Sequence, residues 1–271
     1  MIGSRDTIRL APAVTMRGGR LEDPVRRESW PLNASAAFVL ERSGQPLGET
    51  VAAFAEEFSL SYGQAREDVL RFVWQLNGLA LVNVDPSGSR LRQLRDWLAL
   101  AARLAPSGAV PAALTRRRAL DTRSAYRGLA SCLVAISPRV GAVAAVATAL
   151  LSQAAVAAGP SGLPVSVLVG ACTGLGLGLH EAAHAALLRG VPSALVTRGR
   201  RTAVLHAAVA PDRRVLVAIG GPLAVATLGA FTVGAGWLAA LPFLVAAGCP
   251  LTAHALALTV VGGDGRIACG L

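Results

Sequence analysis

Two stretches in the C-terminal half of the chain contain no charged residue, residues 140–179 and residues 215–263. A helix needs about 20 apolar residues to cross the hydrocarbon core of a bilayer, and both stretches exceed that length. We therefore expect an all-α polytopic membrane domain of about four transmembrane helices, near residues 133–157, 164–188, 215–234 and 238–261. Because 53% of all residues are hydrophobic, the composition excludes an ordinary soluble protein.

The distribution of arginine predicts how these helices are oriented. The 26 basic residues are all arginines, and with 16 acidic residues they give a formal net charge of +10. The connection between the first two predicted spans is uncharged, whereas residues 189–214 carry several arginines. The positive-inside rule places the N-terminal domain, residues 189–214 and the C-terminus in the cytoplasm of a bacterium, with the spans in its plasma membrane. The basic excess is accounted for by this topology, so we expect a lipid bilayer and no nucleic acid as partner. The start of the chain lacks the apolar segment of a signal peptide.

A metal-binding pattern lies at the end of the second predicted span. His180 and His184 are four residues apart, so on a helix they share one face and can bind one Zn²⁺. Glu181 lies beside them, where it can take a proton from a zinc-bound water. Ionisable residues inside a membrane span are costly and indicate a functional site.

Two histidines do not complete a catalytic zinc site, which usually has three protein ligands and a water. Asp264 is the best candidate for the third ligand, since it ends the last predicted span on the cytoplasmic side. His254, His206 and Asp212 are the alternatives. The four cysteines have no Cys-x-x-Cys spacing and predict neither a disulfide framework nor a thiolate zinc site.

The first 85 residues predict a small α+β domain of winged-helix type. Extended stretches at about residues 4–16 and 25–32 flank a Gly18-Gly19 turn signal, and helices are expected at about residues 34–42, 49–58 and 62–77, with Asn33 as an N-cap. Residues 79–84 are expected to return as a strand. A basic connector, residues 86–127, contains an amphipathic stripe near residues 91–104 and a cluster of arginines, and the membrane domain follows as residues 128–271.

Three stretches of the first domain, residues 30–41, 47–58 and 67–82, resemble the PqqD-like family, also called the RiPP recognition element. That resemblance implies binding of a precursor (leader) peptide as an added strand at the hairpin edge, beside the third helix. The groove would then lie between about residues 20–30 and the third helix. The peptide-binding residues that the resemblance implies are Arg20, Trp30, Arg66 and Arg71. A purely structural winged helix is the alternative.

Residues 165–271 resemble the site-2 protease family of intramembrane zinc metalloproteases. The matching motifs are His180-Glu-Ala-Ala-His184 with its continuation, the Gly-Pro-Leu-Ala segment at residues 221–224, and Asp264-Gly-Arg. The resemblance implies Glu181 as the catalytic residue and His180, His184 and Asp264 as zinc ligands. Two departures are Val225, where the family usually has asparagine, and the lack of the family's asparagine and prolines before Asp264.

Taken together, these patterns predict a multi-domain membrane zinc metalloendopeptidase that recognises a precursor peptide through its first domain and cleaves it during maturation of a ribosomal peptide natural product. Two alternatives remain open at this point. One is a regulated intramembrane protease that acts on a membrane-bound regulator. The other is a non-catalytic, membrane-anchored peptide chaperone or transport component.

Overall fold

The computed structural model describes residues 2–87, 114–158, 162–198 and 201–258. They form two compact units. Within the described ranges, the first unit contains residues 2–87, 114–119, 194–198 and 201–207, and the second contains residues 120–158, 162–193 and 208–258. The predicted amphipathic stripe near residues 91–104 lies outside the described ranges. The predicted architecture, a small α+β domain followed by long apolar helices, is confirmed.

The first unit contains two small antiparallel sheets and three helices. Strand β1 pairs with β5, and β2, β3 and β4 form a meander in that order. Gly18 and Gly19 form the two-residue turn between β2 and β3, and both have positive φ, which glycine adopts without steric cost. The element bounds are β1 (Thr7–Leu10), β2 (Thr15–Arg17), β3 (Arg20–Asp23), β4 (Glu28–Pro31), α1 (Ala34–Glu41), α2 (Leu47–Glu57), α3 (Tyr62–Gly78) and β5 (Val82–Asp85).

Side-chain caps fix where two of the three helices begin. The Asn33 side chain accepts a hydrogen bond from the backbone N of Ala36 at 2.8 Å, which confirms the predicted N-cap of α1. Ser61 and Gln64 form a reciprocal capping box at the start of α3. The helices then bury apolar side chains such as Val51, Val69 and Val73 in a common core against Ile8 of β1.

A third sheet lies in the first unit except for its residue Ser193, and the sequence pattern did not predict it. Its strands are β6 (Thr115–Ala119), β7 (Ser193–Arg198) and β8 (Arg201–His206), in the order β6-β7-β8. Two asparagine side chains hold β6. The Asn77 amide exchanges two hydrogen bonds with the backbone of Thr115, both at 2.8 Å. Asn83 exchanges two with the backbone of Arg117, at 2.8 and 2.9 Å. Each side-chain amide thereby makes the pair of hydrogen bonds that a backbone residue of a neighbouring strand would make.

Strand β6 also places a charge in the interior of the first unit. Arg117 donates two hydrogen bonds to the carboxylate of Asp23, at 2.6 and 2.8 Å, and both side chains are 0% exposed. Burial alone would raise the Asp23 pKa, but the hydrogen bonds and charge of Arg117 outweigh it, so this pKa lies below its ordinary value. The sequence predicted that residues 116–118 form a cluster of surface arginines. Arg116 and Arg118 are exposed as expected, whereas Arg117 is buried.

The second unit contains three long apolar helices, α4 (Ala125–Ala158), α5 (Gly162–Leu187) and α6 (Pro211–Leu238). Each is long and apolar enough to cross a membrane. They correspond to the first three predicted spans. In place of the fourth, the described residues form the shorter helix α7 (Pro242–Thr252) and a 3₁₀ helix (Ala253–Leu258).

Glycines let α4 and α5 pack closely. A Cβ atom added at Gly174 of α5 would lie 2.5 Å from the carbonyl oxygen of Val140 in α4, and one added at Gly178 would lie 2.9 Å from the Val140 side chain. Small residues that allow such close backbone approach are typical of helix pairs in membranes, where hydrophobic burial does not drive association. The packing holds the C-terminal part of α5, with its histidines, against α4.

The buried ion pair generates a prediction about stability. Arg117→Ala leaves the Asp23 carboxylate buried without its main partner, so we expect a loss of about 3–5 kcal/mol in the unfolding free energy of the first unit. Arg116→Ala is the matched control, because the Arg116 side chain is exposed. We expect this variant to change the unfolding free energy by no more than about 0.5 kcal/mol. Calorimetric unfolding of the full-length protein in detergent measures both. Equal midpoints for the two variants would contradict the assigned role of the pair.

Candidate functional site

A groove in the first unit lies between strand β4 and helices α1 and α3. Its volume is about 680 Å³, and its walls are mostly apolar. Trp30 of β4, Phe72 of α3 and Leu79 just after α3 are among the side chains that line it. Asp68 is the one acidic side chain among the described residues of the lining. The described residues that line it are Leu21, Trp30, Pro31, Leu32, Asn33, Ser35, Ala36, Val39, Phe54, Asp68, Val69, Phe72, Leu76, Leu79 and Leu81.

Among the described residues strand β4 pairs with β3 alone, so its other edge is open beside this groove. The backbone N of Leu32 donates to the carbonyl oxygen of Gly19 at 2.8 Å. In an antiparallel pair the hydrogen-bonded positions alternate along the strand, so the backbone N–H and C=O of Trp30 also point towards β3. Those of Ser29 and Pro31 point outward. Proline has no N–H, so the edge offers the N–H of Ser29 and the carbonyl oxygens of both residues. An added strand can therefore make only a short ladder here.

The structure brings two of the four predicted peptide-binding residues to this edge. Trp30 lines the groove. Arg20 reaches across to β4, where its Nε donates to the Ser29 hydroxyl at 2.8 Å and its Nη2 to the Ser29 carbonyl at 3.3 Å. Arg66 and Arg71 are exposed on α3 and do not line the groove. Arg71 instead pairs with Glu67 at 2.7 Å and with Asp68 at 3.6 Å.

The two histidines of the second unit converge as their spacing predicts. Nε2 of His180 and Nε2 of His184 are 3.1 Å apart, and the rings meet edge to face. Two nitrogen ligands of a tetrahedral Zn²⁺ lie about 3.3 Å apart when each bond is 2.0–2.1 Å long, so the pair fits one zinc ion. In the metal-free protein the same spacing suits a hydrogen bond between the rings.

Neighbouring helices fix the ring of His184. Its Nδ1 lies 2.6 Å from the carbonyl oxygen of Val217 in α6, and because a carbonyl only accepts, Nδ1 carries the hydrogen. Nε2 is then the unprotonated nitrogen, which is the arrangement of metal-binding histidines. Gly221 of α6 makes room for the ring, since a Cβ added there would collide with Nε2 of His184.

Glu181 follows His180 on α5 and is buried in the interior of the second unit. Its residue is 6% exposed, and those of His180 and His184 are 9% and 7% exposed. Arg139 of α4 is also buried, at 7%, and lies near enough to interact electrostatically with Glu181. Arg139 was not among the predicted site residues. The signal that could have found it is its charge inside the first predicted span.

The candidates for a third ligand fall in different places. His254 is brought next to the pair, with its ring centre 5.7 Å from that of His180. His206 lies on β8, and Asp212 is exposed in the first turn of α6. Asp264 lies outside the described residues and stays a prediction. Within the described ranges, no group of three or more His, Cys, Asp or Glu side chains is arranged to hold a metal ion.

Comparison with known proteins bears on the first unit. Residues 21–82 match the sequence model of the family Coenzyme PQQ synthesis protein D (PqqD). The match covers β3, β4 and all three helices of that unit, so the chain carries a PqqD-type domain near its N-terminus, followed by three long apolar helices. No curated protein and no solved structure matches the chain. The resemblance of residues 165–271 to the site-2 protease family therefore stays a prediction.

The close contact between Gly221 and the His184 ring leads to a prediction about metal binding. Gly221→Ala places a methyl group where the His184 ring lies, so we expect the affinity for Zn²⁺ to fall by about tenfold or more through displacement of one ligand. Gly234→Ala in the same helix is the control, because a Cβ there meets no atom within 4 Å. Competition with a chromophoric chelator in detergent measures both affinities. Equal affinities in the two variants would show that His184 does not bind the metal.

Proposed function

We propose that this protein is a membrane-embedded zinc metallopeptidase that binds a precursor peptide on its PqqD-type domain and cleaves it during maturation of a ribosomal peptide natural product. The arginine distribution supports a plasma-membrane location with the domain on the cytoplasmic side. The observation that carries the proposal is the pair of converging Nε2 atoms, 3.1 Å apart, beside a buried glutamate in an apolar helix.

The groove of the first unit supports peptide binding. An open strand edge beside an apolar groove is the arrangement used for recognition by strand addition, in which backbone hydrogen bonds give affinity and side-chain pockets give specificity. The Ser29 and Pro31 groups at the edge accept only a short ladder, so most of the affinity must come from apolar side chains of the peptide against Trp30, Phe72 and Leu79.

The histidine pair and Glu181 support peptide hydrolysis. His180 and His184 would hold the zinc ion, with Asp264 as the predicted third ligand. Zinc bound there supplies a Lewis acid that polarises a carbonyl group and lowers the pKa of a water. The Glu181 carboxylate would take a proton from the attacking water and pass it to the leaving amine. The apolar helices around the site exclude bulk water and so strengthen these electrostatic interactions.

The role of Glu181 generates the central mechanistic prediction. Glu181→Gln removes the proton acceptor but keeps the size of the side chain, so we expect cleavage to fall at least about 100-fold while zinc is retained. Glu56→Gln, on the exposed face of α2, is the control and is expected to keep full activity. Cleavage of a random peptide library, read by mass spectrometry, supplies the rates without knowledge of the natural precursor. Full cleavage by Glu181→Gln would disprove the mechanism.

The groove generates a separate prediction about recognition. Leu79 is 47% exposed and lines the groove, so Leu79→Glu places a charge in it without disturbing the core. We expect the affinity for peptides selected against the wild type from a display library to fall about tenfold, because a carboxylate must then be desolvated. Tyr62→Glu, an equally exposed position of α3 that does not line the groove, is the control. If both variants bind like the wild type, the peptide lies elsewhere.

A further inference from the structure

His254 lies in an irregular part of the fourth apolar segment. Helix α7 gives way to the 3₁₀ helix at Ala253, and the Nδ1 of His254 lies 3.2 Å from the carbonyl oxygen of Pro250. A carbonyl only accepts, so Nδ1 donates the hydrogen and the neutral ring has an unprotonated Nε2. His184 has the same tautomer for the same reason, with Val217 in place of Pro250.

The surrounding helices hold this ring beside the histidine pair. The ring centre of His254 is 5.7 Å from that of His180. A Cβ added at Gly176, one helical turn before His180 on α5, would lie 2.5 Å from Cε1 of His254. Glycine at this position therefore lets the imidazole approach α5 closely. The ring is half-buried.

We propose that His254 is a positioning residue for the water at the zinc site, a role that rests on the proposed function. Of the two hydrogens of that water, the Glu181 carboxylate would take one, and the unprotonated Nε2 of His254 would accept a hydrogen bond from the other. A direct ligand role for His254 is the alternative, and retention of the metal by a variant without the imidazole separates the two roles.

The test uses the full-length protein in detergent, loaded with Co²⁺, whose visible absorption reports the ligands and the bound water. We expect His254→Ala to retain about one metal ion per chain, to change the cobalt spectrum, and to lower kcat for library peptides about 10–100-fold with little change in KM. His254→Gln, which keeps an acceptor, is expected to recover part of kcat. Gly176→Ala, which displaces the ring without removing it, is expected to behave like His254→Ala.

The control is Gly141→Ala in α4, where an added Cβ meets no atom within 4 Å. Loss of the metal from His254→Ala would overturn the inference by making His254 a ligand. A spectrum and kcat equal to those of the wild type would overturn it by making the residue structural. Both results leave the proposed function standing, whereas a wild-type protein that binds no metal would contradict the proposed function itself.

Discussion

Charged and polar groups removed from water must find specific partners, and this constraint organises both units of the protein. In the first unit the guanidinium of Arg117 is fully buried, and Asp23 neutralises it through two hydrogen bonds. Asn77 and Asn83 supply the backbone of the same strand with the partners it would otherwise lack. In the second unit the backbone carbonyl of Val217 holds the His184 ring. Each such contact fixes one geometry, because any other leaves a buried polar group unsatisfied.

Glycine has a complementary role among the apolar helices of the second unit. On α5, Gly174 allows α4 to approach, while Gly176 leaves the space that the His254 ring fills. On α6, Gly221 makes room for His184. These helices offer few polar side chains to hold an imidazole by hydrogen bonds. The positions of the imidazole rings therefore depend on where a glycine leaves space for them. The site is therefore specified as much by these glycines as by the histidines.

Local patterns in the sequence predicted much of this structure. Hydrophobic periodicity and the Asn33 cap gave the three helices of the first unit, and the charge-free stretches gave α4, α5 and α6. The His180–His184 spacing correctly placed two nitrogens together, since helix geometry alone determines it. The pattern did not predict β6, β7 and β8. Strand β6 consists largely of arginines and is held by two distant asparagines, a combination that has no local signature. Arg117 looked like a surface arginine, since its partner Asp23 is 94 residues away in the sequence.

The central claim is that the histidine pair binds zinc, and the most direct test is the zinc content of the undenatured wild-type protein after purification in detergent. Elemental analysis should give about one zinc ion per chain, and the ion should resist dialysis against buffer and leave with a strong chelator. A zinc content near zero, unchanged by reconstitution with Zn²⁺, would contradict the account. The converging rings would then be a hydrogen-bonded pair, and the PqqD-type domain would remain as the functional part of the protein.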